Sequence, residues 1–180
     1  MSDRFDDLLG QSNEAIQAMV ASATRIAESA NRIGTSLARR TEEVSHAQDL
    51  REGERYGELV RIANRTADDF NQLTGLLYRE GERLTFSVAR CVDALLRARA
   101  VQQGEEQEEI IRNGMNELVP IGELFAELAM KLGQIQEMLA DITPFSELQA
   151  GAQQHAAEVI EHERGQIRAA AEMIIAACGG

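Results

Sequence analysis

Apolar side chains recur three and four residues apart through the N-terminal part of the sequence. This spacing keeps one face of an α-helix apolar and is typical of a coiled-coil seam. Arg40 is the one polar interruption before the seam resumes at Val44, and Phe5 extends the seam backwards in the same register. We therefore predict a first helix over about residues 3–48. The seam residues that we expect to form an interface with another helix are Ile16, Met19, Ala23, Ile26, Ala30, Ile33 and Leu37.

The seam fails between residues 48 and 55, where the segment is polar and contains Gly53. A turn at this point would be followed by a new apolar stripe that runs from Tyr56 to Ala98, which predicts a second helix over about residues 54–102. The alternative is one unbroken helix through both stripes, in which the change of register is a stutter in the coiled coil. The sequence leaves both possibilities open.

A third helix is predicted over about residues 105–142, after Gly104 and a run of glutamates that suits a helix N-terminus. Pro120 lies inside it, but the apolar stripe keeps its register across the proline, so we expect a kink in a continuous helix. Thr143 and Pro144 resemble an N-cap and a first helical residue, which predicts a fourth helix over about residues 144–177. The sequence thus predicts an all-α fold, a long antiparallel helical bundle or coiled-coil hairpins of about four helices, within one domain over residues 1–180.

The charge of the chain is unevenly distributed. The net charge is −12, and residues 102–180 carry 14 acidic residues against four basic ones. A surface this acidic repels phosphate backbones and anionic lipid headgroups, so we expect neither nucleic acid nor membrane as a partner. The N-terminus carries acids where a secretory signal would carry bases, and no apolar stretch approaches the roughly 18 residues of a membrane span. We expect a cytoplasmic protein, unless it is exported without a leader.

One group of side chains is a candidate metal site on the fourth helix. His155, Glu158 and His162 lie three and four residues apart, so they share one face of the helix. Glu123 or Glu127 of the third helix could complete a site for a transition metal. Ferritin-like proteins carry Glu-x-x-His motifs, but no glutamate lies three residues before either histidine. We therefore favour a polar helix face over a metal site, and we predict no cofactor.

The sequence contains no pattern typical of a catalytic centre. Cys91 lies in an apolar helical stripe and is predicted to be a small core residue, while Cys178 lies close to the C-terminus. There is no GxSxG motif, no P-loop and no CxxC pair. We therefore expect the chain not to be an enzyme.

Seams that contain small residues such as Ala23 and Ala30 gain little from burial within one chain, because stabilisation scales with the apolar area that is buried. The leading hypothesis is a non-enzymatic helical scaffold, adaptor or assembly subunit that associates with itself, with another helical protein, or with both. Two alternatives stay open: a metal-binding helical bundle that uses His155, Glu158 and His162, and an acidic inhibitor of a nucleic-acid-binding protein.

Overall fold

The structure, a computed structural model, describes residues 2–179, and all of its regular secondary structure within that range is helical. No helix in this range has an apolar stretch of sufficient length to cross a membrane. The helices pack against each other, so the predicted all-α bundle is confirmed. Their bounds are Ser2–Gln48 (α1), Glu52–Val101 (α2), Glu105–Asp141 (α3), Thr143–Leu148 (α4) and Ala150–Cys178 (α5).

A short turn separates α1 from α2. The backbone N–H groups of Asp49 and Leu50 donate to carbonyls of the last turn of α1, each at 3.2 Å. The carbonyl of Arg51 then accepts from the N–H groups of Glu54 and Arg55 and so begins α2. These bonds satisfy backbone groups that a helix end leaves without partners. The predicted turn is therefore present, and the alternative of one unbroken helix is wrong.

The third helix passes through Pro120 without interruption. Its start follows Gly104, whose φ of +89° is in the left-handed region that favours glycine. Three glutamates occupy the first turn, where the helix dipole favours negative charge. The kink at Pro120 stays a prediction.

The predicted fourth helix is divided in two. Thr143 is the first residue of α4 and not its N-cap, because Ile142 takes the cap position without a side-chain cap bond. The helix stops at Gln149, whose N–H bonds to the carbonyl of Phe145. Phe145 is fully buried and stacks on Phe70 with ring centroids 5.7 Å apart. Gln149, at the break between α4 and α5, has a φ of −130° and a ψ of 42°, which are not helical values.

The contacts of the chain form two compact units. The first consists of residues 2–25, 80–129 and 165–179, and the second of residues 26–79 and 130–164. In the first unit, Phe5 and Leu8 of α1 pack with Ala98 of α2 and Ile111 of α3. In the second unit, Phe70 of α2 packs on α4. The single domain over residues 1–180 stays a prediction, and its terminal residues Met1 and Gly180 lie outside the described range.

Candidate protein–protein interface

The residues predicted to form an interface on α1 are covered by the chain itself. Ile16 is half-buried, and the other six are at most 7% exposed. Ile26 has no accessible surface, so a charge at this position would unfold the chain before it affected a partner. Contacts of these side chains with a second chain stay a prediction. Residues of the folded chain that contact a partner are therefore expected among the exposed ones.

The candidate metal ligands lie on the surface of α5. His155, Glu158 and His162 are all exposed, and Glu158 accepts a hydrogen bond of 2.9 Å from Gln154 one turn before it. Within the described residues, no group of three histidines, cysteines or carboxylates is placed to hold a metal ion. His155, Glu158 and His162 are therefore exposed to solvent, and Glu158 is hydrogen-bonded within α5.

The two cysteines have ordinary hydrogen-bonding roles. Cys91 is fully buried, and its sulfur lies 3.4 Å from the hydroxyl of Ser12 across the α1–α2 contact. Burial raises the pKa of the Cys91 thiol, and the hydrogen bond with Ser12 only partly offsets this. Cys178 is half-buried and donates to the carbonyl of Met115, and burial raises its pKa as well. A raised pKa keeps both thiols protonated, which is the opposite of an activated nucleophile.

Arg40, the polar interruption of the α1 seam, is the centre of a charged network between α1 and α2. It is 7% exposed, and its guanidinium lies 3.2 Å from the carboxylate of Asp69 and 3.3 Å from that of Glu43. Ser36 also donates to Asp69 at 2.7 Å, and Arg65 reaches Glu43 at 2.8 Å. The network pairs the buried guanidinium with two carboxylates, so it serves the packing of the two helices.

Glu80 is a buried carboxylate of the first unit. It is 5% exposed, and its carboxylate lies 3.1 Å from Arg25 of α1 and 3.2 Å from Arg83 of α2. Burial pushes the pKa of Glu80 upwards, but the hydrogen bond from Ser22 and the two guanidinium groups together bring it below its usual value. The group is therefore an ionised, paired carboxylate, and its environment is unsuited to a proton-transferring acid near neutral pH.

One face of α2 presents apolar side chains to solvent. Phe86 is 68% exposed and Leu96 is 49% exposed, and both belong to a set of exposed residues spaced alternately four and three apart. The set, which we call the α2 stripe, consists of Glu82, Phe86, Ala89, Asp93, Leu96 and Ala100. Residues at this spacing lie on one helix face, as in a coiled-coil seam. The α2 stripe is therefore the candidate surface for a second helix.

Arginines line one side of the α2 stripe at intervals of seven residues: Arg83, Arg90 and Arg97. All three are exposed. Each forms an ion pair within the chain, with Glu80, Glu14 and Asp93 respectively. The pairs of Arg90 and Arg97 are exposed on both sides and therefore weak, whereas the pair of Arg83 involves the buried Glu80. The arginines therefore make a local basic border on a chain whose net charge is −12.

Sequence reasoning missed the α2 stripe because α2 carries two apolar patterns. Leu84, Val88 and Leu95 belong to the pattern that the fold buries. Phe86 and Leu96 belong to the second pattern, which is displaced by one or two residues. The signal that could have revealed it is this second set of apolar residues at coiled-coil spacing.

The chain gives no match to any protein-family model, curated protein or solved structure with which it was compared. A function is therefore inferred from the α2 stripe and its border of arginines.

Proposed function

We propose that this chain is a non-enzymatic helical assembly protein that binds another helical chain, including a copy of itself, through the α2 stripe. The supporting observation is the exposure of Phe86 and Leu96 on one helix face at coiled-coil spacing. Single exposed apolar residues are common on folded proteins and need no explanation. A phenylalanine and a leucine on one helix face at coiled-coil spacing, by contrast, provide the apolar contacts with which a second helix packs.

The energetics favour a helix as the partner. Fully burying a phenylalanine or leucine side chain that solvent would otherwise cover contributes about 1.5–3 kcal/mol. Ala89 and Ala100 lie between and beside these larger side chains and allow the backbone of a second helix to approach. Aromatic anchors near the centre of an interface carry much of the binding energy in protein complexes. Phe86 is expected to be the main anchor.

The proposal places the protein in the cytoplasm. Both cysteines are free, and Cys91 is buried without a disulfide partner. Free thiols suit a reducing compartment.

The test is the mass of the purified chain by light scattering over a wide range of concentration. We expect a mass above that of the monomer, and we expect Phe86→Glu to shift association to much higher concentration without loss of helicity. Tyr56→Glu is the matched control, because Tyr56 is an aromatic residue of α2 with a similar exposure of 66% that lies outside the α2 stripe. A wild-type chain that stays monomeric throughout, or a control as disruptive as Phe86→Glu, contradicts the proposal.

A further inference from the structure

A second exposed face in the first unit has the same spacing and the opposite charge. Asn116, Val119, Glu123 and Ala126 of α3 are all exposed and lie three and four residues apart. Val119 is 46% exposed, and Glu127 lies beside Glu123 on the same side of the helix. We call these five residues the α3 face. It combines a small apolar strip with a carboxylate border.

The carboxylates of the α3 face lack cationic partners. Within residues 2–179, the carboxylates of Glu123 and Glu127 form neither an ion pair nor a hydrogen bond. Arginines, by contrast, border the α2 stripe at regular intervals. The two faces are therefore complementary in charge and alike in the spacing of their apolar residues, which is the arrangement that selects partners in coiled coils.

We propose that the α3 face of one copy packs on the α2 stripe of a second copy. This inference rests on the proposed function and names the partner surface. Phe86 and Leu96 supply the apolar contact with Val119 and Ala126, while the arginines meet Glu123 and Glu127. Exposed ion pairs add little affinity, but they favour this pairing over others.

Charge repulsion disfavours the pairing of two α2 stripes in both the parallel and the antiparallel orientation. In a parallel pair in register, Glu82 and Asp93 would lie opposite their own copies across the seam. In an antiparallel pair, the arginine border of one helix would lie along the arginine border of the other. Like charges at such positions repel. The α3 face avoids both conflicts in an antiparallel pair that places Phe86 opposite Ala126, because Asp93 then lies opposite Val119 and Glu127 lies along the arginine border.

The test is a charge exchange between the two faces. One variant carries Arg90→Glu and Arg97→Glu, and a second carries Glu123→Arg and Glu127→Arg. We expect each variant alone to self-associate about tenfold or more weakly than the wild type, because like charges then face each other. We expect a chain with all four substitutions, and an equimolar mixture of the two variants, to regain association measured by sedimentation velocity. Far-UV circular dichroism checks that each variant stays helical.

The outcomes separate the two proposals. A monomeric wild-type chain contradicts self-association itself. A second outcome is that the wild type associates with the same dissociation constant as the variant that carries Glu123→Arg and Glu127→Arg. That result overturns the role of the α3 face and leaves the α2 stripe as an interface. Tighter binding of the wild type to the Arg90→Glu and Arg97→Glu variant than to itself would indicate that α2 stripes pair with each other, because an arginine border would then face a glutamate border, and this also overturns the inference.

Discussion

Replacement of Asp69 by alanine should destabilise the fold strongly. Its carboxylate accepts from Ser36 at 2.7 Å and from Arg40 at 3.2 Å. Asp69→Ala removes both bonds and leaves the Arg40 guanidinium, only 9% exposed, with Glu43 as its remaining carboxylate partner. Hydrogen bonds to charged groups contribute about 1.5–3 kcal/mol each, and part of the loss is recovered from solvent because the Asp69 side chain is 26% exposed. We expect a loss of about 2–4 kcal/mol in the free energy of unfolding.

The measurement is urea denaturation followed by far-UV circular dichroism, with thermal denaturation as a second readout. For a chain of this size a loss of about 3 kcal/mol corresponds to a fall of roughly 6–12 °C in melting temperature. Glu161→Ala is the control, because the Glu161 side chain is 61% exposed and pairs with Arg164 of its own helix at a similar distance, 3.3 Å. Such an exposed pair should contribute below about 1 kcal/mol.

A further variant separates the charge of Arg40 from the packing of Asp69. If Asp69→Ala destabilises the fold because it leaves the Arg40 guanidinium with too few partners, the double variant Arg40→Met with Asp69→Ala should lose less free energy of unfolding than the two single variants together. The reasoning is refuted if Asp69→Ala costs no more than the Glu161 control, or if the two substitutions are simply additive.

The remaining predictions concern backbone, pH and thiols. Gly34→Ala should stabilise α1 by about 0.5–1 kcal/mol, because the added Cβ meets nothing within 4 Å. Gly104→Ala should destabilise the fold, because Gly104 has a φ of +89°. Urea midpoints of the two variants that move in the same direction would contradict this. Glu80 has a folded-state pKa below its ordinary 4.5, so its stabilisation is present above that pH and is lost as the pH falls through the folded-state pKa. The wild type should therefore lose stability relative to Glu80→Gln only below about pH 4.5, and equal slopes of unfolding free energy against pH would refute the pairing. A thiol reagent should modify Cys178 in the native protein and Cys91 only after denaturation, because Cys91 is fully buried. Mass spectrometry detects the modified residue, and equal rates of modification of the two thiols in the native protein would be inconsistent with the fold.

The long helices could be predicted because periodicity of apolar residues is a local property. The apolar seams define α1 and α2, and the polar segment that follows residue 48 marks the turn between them, although α2 already begins at Glu52 and includes Gly53. The break at Gln149 could not be predicted in the same way, since neither glycine nor proline occupies that position. The stacking of Phe145 on Phe70 is likewise a contact between residues far apart in the chain, which a local pattern does not reveal.

The candidate site was harder to predict than the fold. Spacing identifies which residues share a helix face, but exposure depends on which faces the other helices cover. The seam of α1 was predicted as an interface, yet side chains such as Met19 and Ile26 are buried by the chain itself. Phe86 and Leu96 have the same kind of spacing and are exposed. The pairing of Arg40 with Asp69 is equally invisible in the sequence, because the two residues lie 29 positions apart.

The buried charges of Arg40 and Glu80 also decide how α1 and α2 are aligned. Two helices with apolar residues every three and four positions could slide past each other by seven residues and still bury leucine, isoleucine and alanine side chains. Each ion pair closes in only one of these alignments, because a shift of seven residues moves the partner by about 10 Å. A slipped pairing would therefore leave the buried Arg40 and Glu80 with only the ion-pair partners on their own helices, Glu43 and Arg83. Polar residues inside an otherwise apolar seam thus favour the native alignment over alignments that are shifted by seven residues.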